Sequence, residues 1–171
     1  MSDSFVISVA NQQSQHAVDE PLLRRAAREV LNDSPYSSAT ISIAVVDDAL
    51  MRELNRRFLG HDWPTDVLSF VLQQLEDHLE GEVVLSAETA AAAAAELRWP
   101  ANAEQLLYLI HGMLHLVGYG DKTPAESRRM RQLEAEYLRR FGLVPPHETP
   151  GSPPTSPKRS APALRGGTKA P

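Results

Sequence analysis

The chain has 171 residues, 42% of them hydrophobic, a net charge of −5 and no cysteine. That length suits one domain with a buried core. The lack of cysteine excludes disulfides and thiolate zinc sites, leaves His, Asp and Glu as metal ligands, and suits a reducing cytoplasm.

In chain order, Phe5-Val-Ile-Ser-Val alternates as a first strand. Asp19-Glu20-Pro21 opens a helix, with Asp19 as N-cap and the proline in the first turn. Leu22, Leu23, Ala26, Ala27, Val30 and Leu31 form its apolar stripe, which ends near Asn32-Asp33-Ser34-Pro35. Ile41-Ser-Ile-Ala-Val-Val is a second strand rich in β-branched residues. Asp47 caps the next helix, which turns Leu50, Met51, Leu54 and Phe58 inward before Gly60 closes it. Val67-Leu-Ser-Phe-Val-Leu reads as a third strand, followed by a loop through Glu76, Asp77 and His78. Glu82-Val-Val-Leu makes the fourth, and Ser86 caps a helix containing the alanines from Ala90 to Ala95. After Trp99-Pro100 comes a strongly apolar helix, and Thr123-Pro124-Ala125-Glu126 is a capping box that opens a last helix to Arg140. Arg128, Arg129, Arg131, Arg139 and Arg140 share that helix with Glu126, Glu134 and Glu136, which reads as a solvated mixed face. The order predicts an α+β fold: one domain over residues 1–144, with a small mixed sheet of about four strands and helices packed on it.

Residues 145–171 are rich in Pro, Ser, Thr and Gly and are predicted to form a disordered, basic tail. Its charged residues, one acidic (Glu148) and four basic (Lys158, Arg159, Arg165, Lys169), give +3 and leave −8 for residues 1–144. A solvated tail is the ordinary reading, and contact with RNA phosphates the sharper one. The N-terminus has neither a basic region nor a long apolar run, so no signal peptide is expected, and no apolar stretch is long enough to span a bilayer.

The chemistry sits in His111-Gly-Met-Leu-His115-Leu-Val-Gly118-Tyr-Gly-Asp121. Imidazoles four apart project from one helical face. A glycine three residues on can end the helix in a left-handed conformation and return the chain, so that Asp121 meets both rings. Leu106, Leu107, Leu109, Ile110, Leu114, Leu116 and Val117 bury the helix, and a buried imidazole left unpaired costs about 1–3 kcal/mol. His111, His115 and Asp121 are therefore predicted to bind a metal through three ligands, with a fourth position for water, as in catalytic zinc sites. Zinc is expected first, because it makes water acidic at neutral pH. Two histidines and a carboxylate also suit iron, and nickel or manganese are further possibilities.

The same residues carry a family likeness. His-Gly-x-Leu-His-Leu-x-Gly-Tyr resembles the signature of the YbeY family of rRNA-maturation endoribonucleases. Leu54-Asn55 with Pro64-Thr65-Asp66-Val67-Leu68-Ser69-Phe70 resembles its second landmark, and Gly81-Glu82-Val83-Val84-Leu85-Ser86 a third. The likeness runs from about the first strand to the end of the last helix. It implies an α+β fold with the metal helix lining a cleft, and cleavage of single-stranded RNA. It also implies the small ribosomal subunit as partner, maturation of the 3′ end of its RNA, and a part in ribosome quality control. Two positions depart from the family: Asp121 stands where a third histidine is usual, and Leu59 where an arginine faces the substrate. Arg56, three residues earlier and near the same helical face, is the candidate to contact phosphate instead.

Two alternatives remain at this stage. The ligand spacing matches metzincin peptidases, which place a glutamate base directly after the first histidine; here that residue is Gly112. A non-catalytic ribosome assembly factor is the other, with Leu59 and Asp121 marking weakened chemistry.

Overall fold

In a computed structural model the described residues are 4–146, together with the backbone of residues 164 and 165. The elements run β1 (Ser4–Asn11), α1 (Glu20–Asn32), β2 (Ser38–Val46), α2 (Asp48–Leu59), β3 (Val67–Gln74), β4 (His78–Ser86), α3 (Ala87–Leu97), α4 (Ala101–Leu116), α5 (Pro124–Arg140) and β5 (Leu164–Arg165). The sheet order is β1-β2-β4-β3-β5. β1 and β4 flank β2 in parallel, β3 is antiparallel to β4, and β5 is parallel to β3. The α+β architecture expected from the sequence is the one observed, its four main strands joined by the two-residue β5.

The helix starts have local causes. The side chains of Asp19, Asp47, Ser86 and Thr123 accept from the N–H groups of Leu22, Leu50, Thr89 and Glu126, and each such cap stabilises its helix by about 1 kcal/mol. His78 departs from the loop expected there: it begins β4, opposite Ser38, whose hydroxyl lies 2.7 Å from His78 Nδ1.

Alternation along the strands divides the apolar residues between two faces. Ile41, Ile43, Val45, Val67, Val83 and Leu85 join the main core with residues of α1, α3, α4 and α5. Ala44, Val46, Leu68 and Val84 form a smaller cluster beneath Met51 of α2. α4 is buried continuously from Ala103 to Leu116, as a helix apolar on every side must be. It lies flush on the sheet because residue 112 is glycine. A Cβ there would come within 2.7 Å of Val83 Cγ1 and 3.0 Å of Ser69 Oγ. The Ser69 hydroxyl instead donates to the Gly112 carbonyl at 2.9 Å.

Pro145 and Pro146 are buried, so packing continues just past the domain boundary expected at residue 144. Of the predicted tail, residues 147–163 and 166–171 lie outside the described residues, and the backbone of residues 164 and 165 pairs with Phe70 and Val71. Among the described residues no helix is long and apolar enough to cross a membrane.

Candidate metal centre

The two histidines occupy the last turns of α4, and their rings meet edge to face at 86° with centroids 4.6 Å apart. The helix ends at Leu116. Gly118 then adopts φ +114°, and the N–H groups of Gly118 and Tyr119 return to the carbonyls of His115 and Leu114. That reversal, open to glycine and strained for other residues, brings Asp121 back over the helix end. Asp121 Oδ2 lies 3.3 Å from His115 Nε2 and 3.6 Å from His111 Nε2, and the two Nε2 atoms are 3.0 Å apart. The structure thus brings the three sequence-predicted ligands to one point.

The opposite ring nitrogens fix the orientation of the rings. His111 Nδ1–H donates to Glu134 Oε2 at 2.6 Å, and His115 Nδ1–H to the Tyr119 carbonyl at 2.9 Å. With Nδ1 of each ring committed to those acceptors, both Nε2 atoms are left to face the Asp121 carboxylate. The His115 ring beside it holds the Asp121 carboxyl below the usual carboxylate range. Two ring nitrogens and a carboxylate oxygen this close call for a positive charge among them, a proton or a metal cation. Their separations also match a cation's coordination shell. Ligands at about 2.0–2.1 Å from a tetrahedral ion lie about 3.3–3.4 Å apart, and the observed edges are 3.0, 3.3 and 3.6 Å. His111, His115 and Asp121 form a group fitted to a metal ion.

Glu134 is the residue the sequence reading misplaced. Expected on the solvated face of the last helix, it is buried on the inner face of α5 at 2% exposure. The available signal was periodicity: it sits four residues from Met130 and from Leu138, within the apolar stripe. The five arginines of α5 are exposed as expected, and Arg140 is engaged by Glu29 and Asp33.

Arg56 is not part of the cluster. Its guanidinium pairs with Glu53 at 2.5 Å on the exposed side of α2. Leu59 is half-buried and packs on the outer-face cluster, whereas the Arg56 side chain is exposed. Gly112 does not favour the peptidase alternative: the position that carries the base in metzincins is pressed against β3 and β4, where a glutamate side chain has no room.

A sequence model of the family described as Endoribonuclease YbeY matches residues 8–142. The chain belongs to the Endoribonuclease YbeY family. Relatives bearing that family name include a protein of Syntrophotalea carbinolica, 38% identical over 143 residues, covering 80% of this chain and 95% of that one. Another, from Pelotomaculum thermopropionicum, is 40% identical over 149 residues, covering 81% and 98%. The fold is also similar to the solution structure of TM1509 from Thermotoga maritima, with a TM-score of 0.55 and 25% identity over 86% of this chain and 98% of that one.

Proposed function

We propose that this chain is a metal-dependent endoribonuclease specific for single-stranded RNA. In this reading it acts in the cytoplasm on the small ribosomal subunit, in 3′-end maturation of its RNA and in ribosome quality control. The observation that carries the reading is the convergence of two imidazole nitrogens and a carboxylate at separations of 3.0–3.6 Å, in a chain of the YbeY family. His111, His115 and Asp121 would hold the metal, with zinc proposed ahead of nickel, manganese or iron. Elemental analysis of the purified protein distinguishes them.

When bound, the cation supplies Lewis acidity toward a phosphoryl oxygen and makes water acidic at neutral pH. The protein's own contribution is orientation. Glu134 and the Tyr119 carbonyl hold the two rings in the tautomer that presents Nε2. The ionised Asp121 adds negative charge to the ligand set and lowers its pull on a phosphate below that of three imidazoles. Leu59, turned onto apolar neighbours, brings no charge to the substrate.

The test is cleavage of a single-stranded RNA by wild type and His115→Ala, with and without chelator. Cleavage is expected only from untreated wild type, and casein is expected to stay intact in parallel. RNA cleavage that survives both treatments removes the metal mechanism. RNA binding without turnover in the metal-loaded wild type identifies an assembly factor instead.

A further inference from the structure

The loop between α2 and β3 contributes no ligand to the metal cluster. Gly60 ends α2 in a left-handed conformation at φ +73°, and its N–H and that of His61 return to the carbonyls of Arg56 and Asn55. Asp62 is then gripped by the fork of Arg52, Nε to Oδ1 at 2.9 Å and Nη2 to Oδ2 at 3.0 Å. The side-chain amide of the buried Asn55 donates to the Trp63 carbonyl at 2.8 Å. The ion pair is exposed and adds little stability, yet together these contacts leave the loop few conformations. They hold two aromatic rings in the open: His61 and Trp63 stack with centroids 4.5 Å apart and planes 10° from parallel, while Trp63 remains 55% exposed.

A large indole left in water on an anchored loop meets no folding need, since it buries little and packs on no core cluster. It does have the geometry by which proteins hold unpaired bases, a rigid π-face that a base can extend. The loop also leads to the metal helix. Val67 is four chain steps from Trp63, a reach of at most about 14 Å, and its side chain borders the space under Gly112, the residue after His111.

We propose that the His61–Trp63 stack is a base-stacking platform for single-stranded RNA, with a base of the substrate laid on the indole. This rests on the nuclease reading and deepens it: stacking selects unpaired nucleotides, because paired ones keep their faces inside the helix. It also supplies affinity that does not depend on phosphate charge, in a domain that is acidic and lacks the cation at Leu59.

The experiment measures binding of a short oligoadenylate and of inorganic polyphosphate, a polyanion without bases, to the metal-loaded protein by stopped-flow methods. Trp63→Ala is expected to weaken oligoadenylate binding about five- to a hundredfold, with polyphosphate binding and the salt dependence of RNA binding unchanged. Trp63→Tyr is expected to stay within about threefold of wild type. Quenching of wild-type emission by oligoadenylate, absent in Trp63→Phe where Trp99 alone emits, gives a readout independent of cleavage. Quenching without cleavage would keep the platform and reject the nuclease, and cleavage with unaltered Trp63→Ala affinity would do the reverse. A parallel loss of polyphosphate binding, or normal RNA binding with lost affinity for small ribosomal subunits, overturns the platform.

Discussion

Glu134 shows how one side chain governs a neighbour's chemistry. A carboxylate buried at 2% exposure is costly unless paired, and its bond to His111 Nδ1 both satisfies it and fixes which nitrogen faces Asp121. Glu134→Ala is expected to weaken metal binding about 10- to 100-fold, read by competition with a chromophoric chelator; unchanged affinity would show that the ring is held some other way. Arg56 illustrates the opposite case. Its partner Glu53 is exposed and the pair lies outside the metal cluster, so Arg56→Ala is expected to alter RNA cleavage less than about twofold, in keeping with the small worth of surface ion pairs. A tenfold loss of kcat would return it to the site. At Glu134 the sequence expectation failed for one reason. Helical spacing tells which residues share a stripe, but neighbouring elements decide which stripe is covered.

Among the elements, α4 sets the geometry, and Gly112 sets α4. The spacing of the two histidines was legible because both project from one helix, and the turn at Gly118 because left-handed backbone favours glycine. The four helix caps were legible for the same local reason. The close approach of α4 to the sheet was not, since it depends on Val83 and Ser69 from strands remote in sequence. Gly112→Ala is expected to destabilise the fold by about 1–3 kcal/mol through overpacking and to shift the histidines with it. Urea denaturation measures the first effect and metal affinity the second. A variant as stable as wild type would mean that helix and sheet separate more easily than their contact suggests. The pairing of residues 164 and 165 with β3 was equally hidden, because two residues carry no periodicity to read.

For the molecule as a whole, the metal is expected to act as a ligand of the folded state. An ion bound only to that state at a hundred times its dissociation constant contributes about 2.7 kcal/mol, which for a chain of this size corresponds to about 5–11 °C in Tm. Chelation should lower the melting temperature of wild type by that amount and leave His115→Ala unmoved; calorimetry showing no drop in wild type would deny occupancy. The main core gathers side chains from three helices, α1, α3 and α5, around α4. His111 and His115 lie in the continuously buried part of α4, so their amide hydrogens are expected to exchange with solvent far more slowly than those of the connection that follows. Asp121 stands on a short, partly exposed connection between helices, where opening needs far less energy. Of the three groups that would hold the ion, the carboxylate is therefore the one on the less packed segment, and the imidazole pair the one built into the core.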